Sequence, residues 1–229
     1  MRVFATLLII SIALNSCSEQ KGDVRFQVID TDFSKGRLTH VQSVNLVDLE
    51  RFHGHLCDGL VVGALAMEAA MRTLYPNQPV DRTNLRAVSK PSPCLTDVAI
   101  YLSGGRYQFN TFYVDTAFEG LYIVQRIDNG KAVSVSLNQG VKPAAIDSLG
   151  NLAVQRKLSP CGIDSLRALE DSFTDQLLAS EAGTIFTVEV LEEFTWNPVL
   201  SNQFVKTDVL NRDAPECRNT GSTSRELNP

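Results

Sequence analysis

The feature that most limits how this 229-residue chain can fold is its stretch 60–74, where Leu60, Gly63, Ala64, Met67, Met71 and Leu74 recur at three- and four-residue steps. That spacing puts them on one face of a helix, and Tyr75-Pro76-Asn77 ends it. Because the face carries Gly and Ala, another backbone can approach it closely. Such a helix belongs in the middle of a core, with a packed sheet as its expected neighbour. A hydrophobic share of 44% and a charged share of 21% suit one ordinary globular domain.

Around that helix the patterning alternates between periods. Residues 24–30 alternate apolar and polar as a half-buried strand does, and 40–44 form a shorter strand. Asn45 reads as a helix N-cap, with Asp48 in the first turn and Leu46, Leu49 and Phe52 at helical spacing. Residues 85–89 read as a strand, and Pro91-Ser92-Pro93 forces an extended turn that delivers Cys94 to a helix over 95–102. Three aromatic and β-branched runs follow at 108–114, 121–127 and 131–137, expected as an antiparallel meander. Asp128-Asn129-Gly130 suggests a tight primed turn between the last two. Residues 163–179 form an amphipathic helix and 184–190 a strand, a C-terminal extension added to the same sheet. The expected fold class is α+β, a mixed or antiparallel sheet packed by helices.

The N-terminus reads as an address. Arg2 precedes an apolar run at 3–14, too short to span a bilayer and the usual size of a signal-peptide core. Leu14-Asn15-Ser16-Cys17 resembles a lipobox, so residues 1–16 are expected to be a lipoprotein signal, Cys17 the lipid-bearing mature N-terminus, and 17–23 a polar tether. The expectation is a bacterial cell-envelope protein, lipid-anchored on a periplasmic or extracellular face. The domain then runs over 24–211, with a core at 46–140, an extension at 141–211 and a disordered tail at 212–229. A formal charge of −5 without a basic stripe excludes nucleic acid as a partner.

Export permits disulfides, so the five cysteines need allocating. With Cys17 carrying lipid, the preferred arrangement is a Cys161–Cys217 bridge, leaving Cys57 and Cys94 as thiols for chemistry. Two of the three histidines fall in Phe52-His53-Gly54-His55-Leu56-Cys57-Asp58-Gly59. Imidazole and thiolate suit zinc and its neighbours, and glycines at 54 and 59 let the chain fold tightly round an ion. Cys57 also precedes a helix N-terminus, which favours thiolate. Taken singly, His53 and His55 are equally at home as hydrogen-bonded turn residues and Cys57 as a small buried hydrophobe. Asp58 reads as the N-cap of the following helix. Asp147, Asp164, Glu192 and Glu193 read as solvated charge, and Trp196 as a buried anchor beside a turn.

The string 52–60 with its Ala-rich helix resembles the hallmark of the formylmethanofuran dehydrogenase FmdE family. The likeness continues through Cys94-Leu95-Thr96-Asp97-Val98-Ala99 and Asp128-Asn129-Gly130-Lys131-Ala132-Val133, over residues 46–140. The resemblance implies an α+β domain, often dimeric, with a metal site from the His/Cys loop and the cysteine that starts the next helix. Carried over, it points to His55 and Cys57 first, then Cys94, with His53 and Asp97 as outer partners. Asp58 stands where the family usually has proline, and Gly105 where many members have another cysteine. Losing that thiol favours a mononuclear mixed N/S site with an open position.

The leading expectation is an exported protein that binds zinc or a related ion through His53, His55, Cys57 and Cys94, with metal-assisted chemistry on a small molecule involving Cys57, His55 and Asp97. Two alternatives stand beside it: a metal or cofactor carrier without turnover, and a thiol redox protein using Cys57 and Cys94.

Overall fold

A computed structural model describes residues 24–31, 35–197, 199–200 and 210–214. The expected signal, tether and Cys17, and the tail from 215 onward with Cys217, lie outside the described residues. The described residues open with strands β1 (Arg25–Thr31) and β2 (Leu38–Asn45), then helices α1 (Leu46–His53) and α2 (Asp58–Leu74). A short β3 (Val80–Asp81) leads through a 3₁₀ turn to β4 (Leu85–Ser89) and α3 (Pro93–Ser103). Strands β5 (Phe112–Val114), β6 (Tyr122–Arg126) and β7 (Ala132–Leu137) follow. Helices α4 (Ala144–Val154), α5 (Pro160–Ala179) and the one-turn α6 (Ala182–Ile185) precede β8 (Phe186–Leu191), the last strand among the described residues.

The fold is α+β, with two mixed sheets packed by helices. One has the order β2-β1-β3 and the other β5-β4-β6-β7-β8. In the larger sheet β4 pairs with β5 in parallel, and the remaining pairs are antiparallel. The expected three-strand meander is therefore corrected: β4 sits between β5 and β6. The apolar run at 108–114 is split by a 3₁₀ turn, Tyr107–Phe109, and a left-handed Asn110, which leaves only three residues to pair. The β6–β7 turn also differs from expectation. Gly130 takes φ +73° while Asn129 does not take a positive φ, and the Gly130 N–H donates to Arg126 O at 3.1 Å. A primed turn needs both central residues at positive φ, so this is a wider loop closed by one left-handed glycine.

Helix α2 is the centre of the core. Twelve of its residues are buried, and it touches α3, α5, β6 and β7. Its small residues set the spacing. A Cβ on Gly63 would lie 2.8 Å from the Tyr122 hydroxyl and 3.2 Å from Val98. That hydroxyl donates to Leu95 O at 2.9 Å from a fully buried ring, which ties β6 to α3 across the gap the glycine leaves. A buried hydroxyl without such a partner would cost a few kcal/mol (about 1–3).

The other face of the larger sheet is covered by a strap. Val88 and Ile123, register partners facing away from α2, meet Trp196, with Tyr113 at 4.8 Å and the Arg86 guanidinium 4.7 Å over the indole. Trp196 is thus the buried anchor expected. Strand β8 adds to the β7 edge, and α5 packs on α2. Helix α4, which the patterning above leaves unassigned, buries Ile146 and packs Leu149 and Ala153 against the core, a short stripe interrupted by Gly150 and Asn151. Arg212 reaches back to Asp81 Oδ2 at 2.6 Å, pinning residues 210–214 to the β3 end.

Candidate metal centre

Local rules of helix termination build the site. Asn45 and Asp48 form a reciprocal capping box: Asn45 Oδ1 accepts from the Val47 and Asp48 N–H groups, and Asp48 accepts from the Asn45 N–H at 3.0 Å. The helix so started ends at Gly54, whose φ of +102° is left-handed and whose N–H donates to Glu50 O at 2.7 Å. His53 is therefore held in the last turn of α1, and His55 falls in the loop. The chain re-enters a helix at once, and the N-cap of α2 is Cys57, whose sulfur accepts the Leu60 N–H at 3.4 Å. This corrects the expectation for Asp58. Asp58 is the first helical residue, with its carboxylate on the Gly59 N–H at 2.7 Å.

Helix α3 supplies the other wall. Ser92 caps it, Pro93 occupies its first turn, and Cys94 follows. The positive ends of α2 and α3 thus meet at two sulfurs 3.5 Å apart. Gly59 makes that approach feasible, since a Cβ there would lie 2.9 Å from Cys94 Sγ. Three residues along, Asp97 faces α1, and His53 Nδ1–H donates to its Oδ2 at 2.8 Å. His53 Nε2 is left pointing at Cys57 Sγ, 3.8 Å away.

The ligand-type atoms of His53, His55 and Cys57 all lie within 4.8 Å of one another. His53 is nearly enclosed, its side chain 6% exposed, whereas Cys57 is half-buried and His55 exposed. Cys94 touches Cys57 but stands outside that three-donor group. Of the residues singled out in the sequence, His53, His55, Cys57, Cys94 and Asp97 are all brought to this one corner. His53, which the resemblance gave an outer role, falls within the three-residue group that could hold a metal. Gly105 admits no further ligand, because a Cβ there would meet the Phe112 Cβ at 2.8 Å. Cys161 is a free, exposed thiol, so the expected bridge to Cys217 is not seen.

Electrostatics divide the two sulfurs. The Cys94 hydrogen bond, the Leu60 N–H and His53 together pull the Cys57 thiol down to about 5, against the opposing effect of burial. Cys94 moves up, chiefly because it donates to Cys57 and then because it is buried. One proton is shared between them, and only Cys57 receives a backbone N–H and an imidazole, so the thiolate belongs on Cys57. His53 is raised above its ordinary 6.5, first by the hydrogen bond to Asp97. Glu170 on α5 is the residue the sequence reading missed. Burial raises its carboxyl, and the charges of Asp58 and Cys57 raise it further. The available signal was an acid between Leu166 and Phe173 on the apolar stripe of 163–179.

The donor set fits zinc. A tetrahedral site with Zn–S about 2.3 Å and Zn–N about 2.05 Å has S···N edges of about 3.5 Å, close to the 3.8 Å observed between Cys57 Sγ and His53 Nε2. A metal-binding imidazole characteristically donates its second N–H to a carboxylate, and Asp97 occupies that place. Asp97→Asn is therefore expected to weaken zinc binding by about 10–100-fold at alkaline pH. The sign with pH follows from His53. Protons compete with metal for Nε2, so affinity falls as pH drops through the raised value, and removing the Asp97 charge moves that fall to lower pH. Competition titrations across neutral pH check both; an unchanged curve refutes the role given to Asp97.

Comparison with known proteins places these features in context. Nothing among curated proteins matches the chain. A solved structure of a tungsten formylmethanofuran dehydrogenase FmdE-like protein from Syntrophus aciditrophicus is similar at 14% identity and a TM-score of 0.41, covering 71% of this chain and 78% of that one. The family model described as "FmdE, Molybdenum formylmethanofuran dehydrogenase operon" matches residues 52–187. That span takes in the His/Cys loop, both helices that meet at it and the larger sheet as far as β8, and it exceeds half of the chain: the protein belongs to the FmdE family.

Proposed function

We propose that this FmdE-family protein is an exported, lipid-anchored zinc protein whose site is held by His53, His55 and Cys57 and acts on a small molecule. The observation that carries the reading is the convergence of two imidazoles and one cysteine sulfur within 4.8 Å, with Asp97 fixing His53 from behind. Three protein donors leave a position for a reactant, as in catalytic rather than structural zinc sites. Bound there, zinc supplies Lewis-acid polarisation of an oxygen on substrate or water. The chain's own residues do the rest. Asp97 holds the His53 tautomer, the two helix ends and the Leu60 N–H keep Cys57 as thiolate, and exposed His55 gives the site an open side. Exposed Phe52 and Leu56, at 50% and 43%, offer apolar contact beside it. Metal analysis of protein purified without chelator, compared with a Cys57→Ala/His55→Ala variant, tests the site; equal metal content in both refutes it.

The anchor rests on the sequence of residues 2–17, a basic residue, an apolar core and a lipobox-like end. No helix among the described residues is long and apolar enough to cross a membrane. Expressed in a bacterium fed a labelled fatty acid, the wild type is expected to carry label and sediment with membranes, while Cys17→Ala loses both. Label retained in Cys17→Ala refutes the anchor.

A further inference from the structure

Zinc binding by three donors leaves one sulfur of the site outside the ligand set, and its position suggests a further role. Cys94 stands outside the His53, His55 and Cys57 group yet lies 3.5 Å from Cys57 Sγ, on a different helix and 37 residues along the chain. A disulfide needs the sulfurs at about 2.05 Å, a closure of roughly 1.5 Å from the observed separation. Gly59 has no Cβ, and the space a Cβ would fill, 2.9 Å from Cys94 Sγ, is what lets the two helix ends come this close. Both thiols are half-buried, so a small oxidant has access while Cys161, exposed elsewhere on α5, lies in a different setting.

We propose that Cys57 and Cys94 form a hydroperoxide-sensitive pair that gates the metal: oxidation links them and expels the ion, and a thiol reductant restores the site. The inference rests on the metal reading above and adds its regulation. In the first step Cys57 Sγ bonds to one peroxide oxygen, the O–O bond breaks, and the departing alkoxide takes a proton from solvent. In the second, the Cys94 sulfur bonds to Cys57 Sγ, the S–OH bond breaks, and hydroxide leaves as water with the Cys94 proton. Two electrons pass from the sulfur pair to the peroxide, giving one alcohol, or water from hydrogen peroxide, and one water. A disulfide sulfur is no longer a thiolate ligand. Two imidazoles remain, too few to retain zinc against a chelator.

The test uses the full chain, reduced and loaded with zinc, then treated with one equivalent of hydrogen peroxide beside a chromogenic zinc chelator. Peptides are mapped without reduction. The expected result is a linked pair of peptides containing Cys57 and Cys94, zinc released in step with the link, and recovery of both thiols and zinc binding after dithiothreitol. Cys94→Ser is expected to give no link and to accumulate sulfenic or sulfinic acid on Cys57. Gly59→Ala keeps both thiols but sets a methyl 2.9 Å from Cys94 Sγ, so that sulfur must shift, and the variant is expected to link at least several-fold more slowly. Wild-type Cys57 driven to sulfinic acid with Cys94 intact overturns the proposal, as does a complete link with zinc retained. Reduced protein that takes up no zinc before oxidant is added overturns the metal reading and the gating with it, and the peptide map alone then decides whether the thiols pair.

Discussion

The Cys57→Ala/His55→Ala variant is expected to bind zinc at least a thousandfold more weakly than the wild type. Zinc sites with four protein ligands are worth about 10–16 kcal/mol, or roughly 3 kcal/mol per ligand. Two ligands lost then cost about 6 kcal/mol, and each 1.4 kcal/mol is about tenfold in affinity. The loss falls on the metal and only lightly on the fold. His55 is exposed, and Cys57 contributes one cap hydrogen bond at 3.4 Å to a helix that buries twelve other residues. Removal of an N-cap acceptor costs typically about 1 kcal/mol. Zinc competition titrations alongside thermal unfolding separate the effects. Affinity within tenfold of wild type would mean that the ion is held elsewhere.

The core helix, the N-cap at Asn45 with Asp48 in the first turn, and the clustering of His53, His55 and Cys57 were legible in the chain because each follows from local rules: periodicity, caps, and ligand-type residues in a short string. Cys94 and Asp97, one helical turn apart, were tied to that loop only by the resemblance to the FmdE family, because their contacts with it span 37 and 44 residues of sequence. What local rules could not give was partner choice between strands. Residues 108–114 have the composition of a strand, yet only Phe112–Val114 pair, and with β4 in parallel, because the turn at Arg106–Asn110 sends the chain to the far edge. Nor could spacing separate Cys57 from Asp58 as the cap, since both residue types accept the same N–H groups. Backbone position decided for the sulfur: Cys57 has extended φ and ψ of −145° and 165°, while Asp58 is already helical. Glu170 was hidden for a related reason. Its place on α5 is readable, but that α5 lies against α2 is a tertiary fact.

That tertiary fact has a large expected consequence at Phe173. The ring is 1% exposed, on the same stripe of α5 as Leu166 and Leu177, and α5 rests on α2. Phe173→Ala removes a whole buried ring and leaves a cavity, which costs about 3–5 kcal/mol. For a domain of this size about 1 kcal/mol moves Tm by roughly 2–4 °C, so the variant is expected to melt roughly 6–20 °C lower. Unfolding is expected to remain a single transition, because β8 completes the larger sheet through six register pairs with β7 and α5 buries part of α2. Zinc affinity below the transition is expected to hold, since all three donors come from α1, its following loop and the start of α2. A small early transition followed by melting at the wild-type temperature would mean instead that α5 and β8 form a separately stable layer. The site would then owe its rigidity to α1, α2 and α3 alone.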